Sequence, residues 1–290
     1  MSGWTGIAGK RVVITGATNG IGLAAAEELA MRGAKLTIVA RDQAKSSRVA
    51  NRLGADIVIA DLASKKAVRR AADEILARCK TIDVLVNNAG VYLTSRNLTE
   101  DWIEETWAVN HLAPFMLTNL LLGRLEDSAP SRIITTASDA HAGAAIPFDD
   151  LDGTEAYASR SIAGPGFVRY GQTKLANVMF TAELARRLRG SGVTANCFHP
   201  GLVATGITRE LKGPARITIK VVNAFARRPS KGAETLVWLA DSADLDGVSG
   251  AYFADKRRIE PAPAAKDSAA ARRLWEITEM QAGLRAVATR

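Results

Sequence analysis

At 290 residues, 47% of them hydrophobic and 23% charged, the chain has globular composition and ample length for a large core, which excludes a disordered or fibrous protein. Two cysteines, Cys79 and Cys197, exclude a disulfide framework and point to a reducing compartment. Residues 1–10 carry no basic stretch followed by an apolar core, so no signal peptide is expected and the expected location is cytoplasmic. The formal net charge of +8 raises nucleic-acid binding as a second class of function, but no recognised DNA- or RNA-binding motif accompanies it.

Strand and helix signals alternate along the chain. An apolar β-branched run at 12–15 leads into Gly16, Gly20 and Gly22 and then into a helical pattern over 21–32. Glycines at such a turn let the backbone approach a pyrophosphate, whose charge is stabilised by free N–H groups at the helix N-terminus. The spacing is G-x-x-x-G-x-G, and a tight strand-to-helix turn favours glycine in any case. A second strand-like run at 36–39 ends in Val39-Ala40-Arg41-Asp42, and a third at 57–60 is followed by Asp61-Leu62. After a helix at 65–78, the run at 84–87 opens into Asn87-Asn88-Ala89-Gly90. A helical pattern over 104–125 holds the longest uncharged stretch, 106–123. Because that stretch contains Asn110, His111, Pro114 and Asn119, it reads as a buried or partner-facing helix and not as a membrane span. Strand 132–136 precedes Ser138, helix 172–189 precedes strand 193–198, and a helix at 233–239 leads to a last short strand near 251–253.

This alternation implies right-handed βαβ units: an α/β fold with one doubly wound parallel sheet of about seven strands, covered by helices on both faces. Residues 1–290 read as a single domain, with neither repeat nor linker. In such a sheet ligands bind beyond the carboxyl ends of the strands, where every motif above lies.

The pair that carries the chemistry is Tyr170 and Lys174. One helical turn separates them, so on a helix they share a face. A phenol titrates at about 10, and a neighbouring ammonium pulls that value toward working pH. Tyr252 and Lys256 repeat the spacing, but in an expected edge strand and the loop after it, where no helical face is shared. His111, His141 and His199 lack metal-ligand spacing and Ser138 sits in no G-x-S-x-G elbow, so no metal is expected and a hydrolase reading falls.

Taken together, the motifs resemble the short-chain dehydrogenase/reductase family over nearly the whole chain. They are Thr15-Gly16-(x3)-Gly20-Ile21-Gly22, Asp61-Leu62, Asn87-Asn88-Ala89-Gly90, Asn110, Ser138, Tyr170-(x3)-Lys174 and Pro200-Gly201-(x3)-Thr205. The runs Val109-Asn110-His111-Leu112, Lys174-Leu175-Ala176-Asn177 and Arg273-Leu274-Trp275-Glu276 look most like its retinol-dehydrogenase-like branch. The resemblance implies an enzyme interconverting an alcohol and a carbonyl on an apolar, retinoid-, steroid- or lipid-like substrate by hydride transfer with a nicotinamide cofactor. It implies Tyr170 as acid/base, and Lys174 lowering the Tyr170 pKa and holding the nicotinamide ribose. Ser138 would hydrogen-bond the substrate oxygen, and Asn110 would position a water for proton relay.

The same resemblance assigns cofactor contacts to Gly16, Thr18, Asn19, Gly20, Ile21, Asp61, Leu62, Asn87, Ala89, Gly90, Pro200, Gly201, Val203 and Thr205, with Asp61 near the adenine. Ala40 occupies the position where an NAD site presents an acid to the ribose, and Arg41 follows it. A guanidinium suits a 2′-phosphate, so NADP(H) is the expected cofactor and NAD(H) the alternative. Asn19 stands where many NADP-using relatives carry a second basic residue, and Asp42 is close by.

Two segments depart from the pattern or extend it. Thirty-two positions separate Ser138 from Tyr170, longer than the family interval, so an insertion at 148–168 is expected as a loop beside the site. It bears on helix–helix association, leaving homodimer and monomer both open. The expected substrate lid, 206–231, carries Arg209, Lys212, Arg216, Lys220, Arg227, Arg228 and Lys231 against Glu210, interleaved with apolar residues. Such a segment is either a solvated cover or a peripheral contact with an anionic membrane. A non-catalytic NADP(H) sensor is the alternative function; it would need only the glycine turn, whereas Asn110, Ser138, Tyr170 and Lys174 together argue for turnover.

Overall fold

The computed structural model describes residues 3–159, 161, 166–203 and 227–284. Its first half repeats one unit: β1 (Arg11–Thr15), α1 (Gly20–Met31), β2 (Lys35–Ala40), α2 (Gln43–Leu53), β3 (Asp56–Ile59), α3 (Lys65–Arg78) and β4 (Val84–Asn87). The second half runs α4 (Glu105–Trp107), a π turn (Ala108–Leu112), α5 (Ala113–Asp127), β5 (Ser131–Thr136), a 3₁₀ turn (Asp139–Gly143), α6 (Thr154–Ala158) and α7 (Phe167–Arg187). It ends with β6 (Val193–Phe198), α8 (Pro229–Asp241), β7 (Tyr252–Ala254), β8 (Arg257–Ile259) and α9 (Ser268–Ala282).

One sheet results, in the order β3-β2-β1-β4-β5-β6-β7-β8, parallel throughout except for the last pair. Side chains alternate across it: Val13 faces the core under α3, α5, α7 and α9, while Val12 and Ile14 face the core under α1 and α8. The two-residue period of the strands thus buries both faces. Strand order reverses between β1 and β4, where Val12 pairs with Leu36 on one side and Val84 on the other. Crossovers leave that point in opposite directions, so a crevice opens there at the carboxyl edge.

Several boundaries differ from expectation, each for a physical reason. The sheet has an eighth strand, β8, whose Arg257-Arg258-Ile259 carries too much charge to read as a strand. Asp255 and Lys256, at φ 47° and 59°, turn the chain into this antiparallel partner. β7 is therefore not an edge strand. Tyr252 is buried within it, and Lys256 in the turn ion-pairs with Glu234 at 3.5 Å. The insertion is not loop alone, since it contains α6. Helix α7 begins five residues earlier than its expected start, and so carries Tyr170 as well as Lys174. Most of the expected lid, with Thr205, lies outside the described residues. Of its basic residues, Arg227 is paired with Asp255 and Lys231 with Glu234. Among the described residues no helix is long and apolar enough to cross a membrane.

Candidate active site

The crevice between β1 and β4 is built by Thr15 and Asn88. The Thr15 hydroxyl accepts from the backbone N–H groups of Asn88 and Ala89, both at 3.0 Å, and Asn88 Nδ2 donates to the Thr15 carbonyl at 3.1 Å. Asn88 therefore braces the glycine turn, a role the Asn87-Asn88-Ala89-Gly90 run did not disclose. Gly16 has φ +72° and a Cβ there would lie 2.8 Å from Ala89 Cα. A Cβ on Gly22 would lie 2.4 Å from both Asn88 Nδ2 and the Gly16 carbonyl. The bare backbone leaves a cradle at the start of α1, whose first turn has neither an acidic residue nor a side-chain cap from Asn19. Free N–H groups without a protein partner suit a pyrophosphate, so the residues present fit a dinucleotide.

Around this cradle the expected cofactor residues fall into two groups. Gly16, Thr18, Asn19, Gly20 and Ile21 form the turn itself, Ala89 faces it across the switch point, and Gly90 lies against Asn110 and Lys174. Arg41 is exposed at the end of β2, whereas the Asp42 carboxylate caps α2, accepting from Lys45 N at 2.9 Å and pairing with Lys45 Nζ at 3.3 Å. Those bonds hold the Asp42 carboxyl below its ordinary range. Asp61, exposed after β3, accepts from Ala63 N at 3.0 Å, with Leu62 half-buried beside it. Asn87 is buried, and its Nδ2 donates to Thr118 on α5 at 2.9 Å. Pro200, Gly201 and Val203 follow β6 at the same edge, and Val203 bridges to Arg227.

The expected catalytic side chains meet at the ends of β4 and β5. Ser138 caps the 3₁₀ turn after β5, its hydroxyl accepting from Ala140 N at 3.2 Å, and it stands close enough to the Tyr170 hydroxyl to pull its pKa down. Gly171 permits the approach, since a Cβ there would lie 2.8 Å from the Ala140 carbonyl. Tyr92 packs edge-on against the Tyr170 ring at 5.8 Å. Lys174 is buried; its ammonium lies 5.4 Å from the Tyr170 ring centre and donates to the Thr136 carbonyl at 3.1 Å. Asn110 occupies the π turn, where Oδ1 accepts from Val91 N at 2.7 Å and Nδ2 donates to Val91 O at 2.9 Å and Thr173 Oγ1 at 3.1 Å.

The electrostatics differ from expectation in one respect. Burial pushes the Tyr170 hydroxyl up to about 12, against a smaller downward pull from Ser138. Although the ring keeps some contact with solvent, its hydroxyl end sits deep enough for desolvation to win. Burial also brings Lys174 down to about 8. The Lys174 ammonium lies 5.4 Å from the Tyr170 ring centre, and burial is the larger influence on both groups.

Each histidine has a structural occupation, and no metal-binding cluster exists among the described residues. His141 Nε2 accepts from Ala262 N at 3.1 Å, which leaves Nδ1–H to donate to the Ser138 carbonyl at 2.8 Å. His199 Nδ1 accepts from Gly201 N at 3.2 Å. His111, fully enclosed between α5, α7 and α9, is brought down to about 4 by burial. The unfolded chain therefore takes up a proton at His111 that the fold refuses. Stability should fall as pH drops from about 6.5 to about 4, by about 3 kcal/mol from this residue. Melting temperature followed across that range should show the loss, and His111→Phe should flatten it; an unchanged acid limb in the variant would contradict the assignment.

Comparisons with known proteins identify the family. The family described as short chain dehydrogenase matches residues 10–147 and 158–215. The chain is 41% identical to retinol dehydrogenase 14 of Mus musculus, covering 95% of this chain and 86% of that protein. It is 40% identical to retinol dehydrogenase 13 of Homo sapiens, covering 98% and 88%. Among solved structures, an uncharacterised protein from Mycobacterium paratuberculosis superposes with a TM-score of 0.76 at 31% identity, covering 97% and 98%. A short chain dehydrogenase from Burkholderia cenocepacia in complex with NADP superposes with a TM-score of 0.68 at 25% identity, covering 85% and 96%. The chain is thus an oxidoreductase of the short-chain dehydrogenase/reductase family, on its retinol-dehydrogenase-like branch.

Proposed function

We propose that the protein is an NADP(H)-dependent oxidoreductase that interconverts an alcohol and a carbonyl on an apolar, retinoid-, steroid- or lipid-like substrate, with Tyr170 as acid/base. The observation that carries this is the placing of Ser138 beside the Tyr170 hydroxyl, with buried Lys174 one helical turn away over the Tyr170 ring. When bound, the nicotinamide supplies or accepts the hydride. The protein's own part is to deliver a proton and steady the substrate oxygen. With its hydroxyl at about 12, Tyr170 is protonated at neutral pH and equipped to donate to a carbonyl oxygen. Ser138 offers a second hydrogen bond to the same oxygen as charge develops. The Lys174 ammonium stands ready for ribose hydroxyls, and Asn110 for a relay water beside it. Names of the relatives support retinoid-like substrates, and the NADP complex supports the cofactor. A related reductase from Brucella melitensis was solved with NADH, so the fold alone does not choose.

Arg41 supports the choice. It is exposed at the strand tip, and its acidic neighbour is spent on capping α2. Arg41→Asp should lower kcat/KM with NADPH by about 10- to 100-fold and leave the NADH value nearly unchanged. A panel of retinoid, steroid, aliphatic and quinone carbonyls assayed with each cofactor by nicotinamide absorbance tests both parts. An unaltered NADPH preference in the variant would rule out Arg41 as the phosphate ligand, and no turnover of any carbonyl would rule out the activity.

A further inference from the structure

Behind the proposed catalytic side chains lies a buried polar chain that reaches the C-terminal helix. It starts from a defect in the helix carrying Asn110. Asn110 lies in the π turn, whose bonds span five residues, as from Ala113 N–H to the Ala108 carbonyl. Where the α register resumes, the Asn110 carbonyl would accept from the N–H of residue 114, but that residue is proline and has none to give. Asn177, one turn after Lys174 on α7, supplies the missing donor: its Nδ2 lies 2.9 Å from the Asn110 carbonyl. The same nitrogen lies 3.5 Å from the Thr136 carbonyl, which also accepts from Lys174. One carboxamide therefore touches both the backbone of Asn110 and the carbonyl that anchors the ammonium.

The other end of that carboxamide is held in turn. Asn177 Oδ1 lies 3.3 Å from His111 Nδ1, and His111 Nε2 lies 3.0 Å from Thr278 Oγ1 on α9. Asn177, His111 and Thr278 are all buried, so water cannot replace a lost partner without rearrangement. Helix α9 is itself fixed at its far end. Lys65 Nζ donates to the Gln281 carbonyl at 3.2 Å, and Arg69 Nη2 to those of Ala282 and Gly283 at 2.6 and 3.0 Å. These cations sit where a helix C-terminus favours positive charge. Trp107 Nε1 adds a bond to Gln281 Oε1 at 3.1 Å.

We infer that Asn177, backed by His111 and Thr278, is a positioning residue that holds Asn110 and Lys174 in register, making α9 a working support of the active centre. The inference rests on the reading of Tyr170 and Lys174 as the reacting pair. Asn177 does not touch the substrate; it acts by replacing the hydrogen bond that Pro114 removes.

The test uses the full chain and two measurements. In the first, Asn177→Leu, which keeps the volume and removes the amide, should lower kcat by about 10- to 100-fold, with carbonyl KM and NADPH Kd each within about threefold. A variant whose kcat is unchanged, or in which NADPH binding is lost in step with kcat, overturns the inference. The second measurement does not depend on turnover. Melting temperatures are compared for the parent, Asn177→Leu, Pro114→Ala and the double variant. Pro114→Ala restores an N–H at position 114, so losing Asn177 should then lower the melting temperature by about half as much as in the parent background. Additive losses overturn the inference. If the parent binds NADPH but turns over no carbonyl, the proposed function fails, and the melting cycle alone decides whether Asn177 stands in for the proline.

Discussion

Tyr170→Phe is expected to lower kcat by about 10²- to 10⁴-fold while NADPH affinity stays within about threefold. The substitution deletes one oxygen and little else. A phenyl ring keeps the edge-on contact with Tyr92 at 5.8 Å and lies under the Lys174 ammonium as before. What disappears is the hydroxyl beside Ser138, the proposed proton carrier. Because volume is conserved, the fold and the glycine cradle are expected to persist. Nicotinamide fluorescence measures binding, and single-turnover absorbance measures chemistry. A kcat within tenfold of the parent would remove Tyr170 from the mechanism. Loss of binding and rate together would make it a structural residue.

The largest effect on stability should come from Arg169→Met, about 3–5 kcal/mol, or a fall in melting temperature of about 10 °C. Arg169 and Glu104 form an ion pair at 2.7 Å in which both side chains are 0% exposed. The pair is well provided with further partners. Glu104 accepts from the N–H groups of Thr106 and Trp107 at 2.8 and 2.9 Å and from the Tyr157 hydroxyl at 2.9 Å. Arg169 donates to Gln172 Oε1 at 3.2 Å and the Leu151 carbonyl at 2.6 Å, and lies over the Trp107 ring at 4.7 Å. Removing the guanidinium leaves a carboxylate buried without a counter-charge, the costly half of a broken pair. Adding Glu104→Gln removes that charge while keeping an acceptor for the cap of α4, so the double variant should recover most of the loss. A single variant that melts with the parent, or a double variant worse than the sum, would contradict this. Since the pair ties the insertion to the helices bearing Asn110 and Tyr170, the single variant should also lose activity.

Much of the fold was legible because apolar β-branched runs and glycine turns alternate along the chain. Strand residues 84–87 and 193–198 and helix residues 65–78 were placed to the residue, since their ends coincide with polar or glycine breaks. β8 was not, because three residues with two arginines are stabilised by their hairpin partner and not by their own pattern. The π turn at Asn110 was hidden inside an uncharged stretch whose composition is equally helical on either side. The site's motifs could be listed from the sequence, but depth of burial could not. Spacing put Lys174 beside Tyr170, whereas burial by the surrounding packing pushes the phenol's pKa up and the ammonium's down. Glu104 and Arg169 stand 65 residues apart, and no local pattern pairs them.

The bridge between Val203 and Arg227, with Arg227 N donating to the Leu202 carbonyl at 2.8 Å, means that the chain leaves the sheet rim and rejoins it at adjacent points. The two points are thus held together by bonds of their own, next to β6 and α8. For a flexible connection between two points already held together, doubling its length costs only about 0.6 kcal/mol in chain entropy. Diversification of this rim, whether by descent or by grafting between homologues, is thermodynamically cheap, and the stapled junction marks where a crossover in a chimaera should fall.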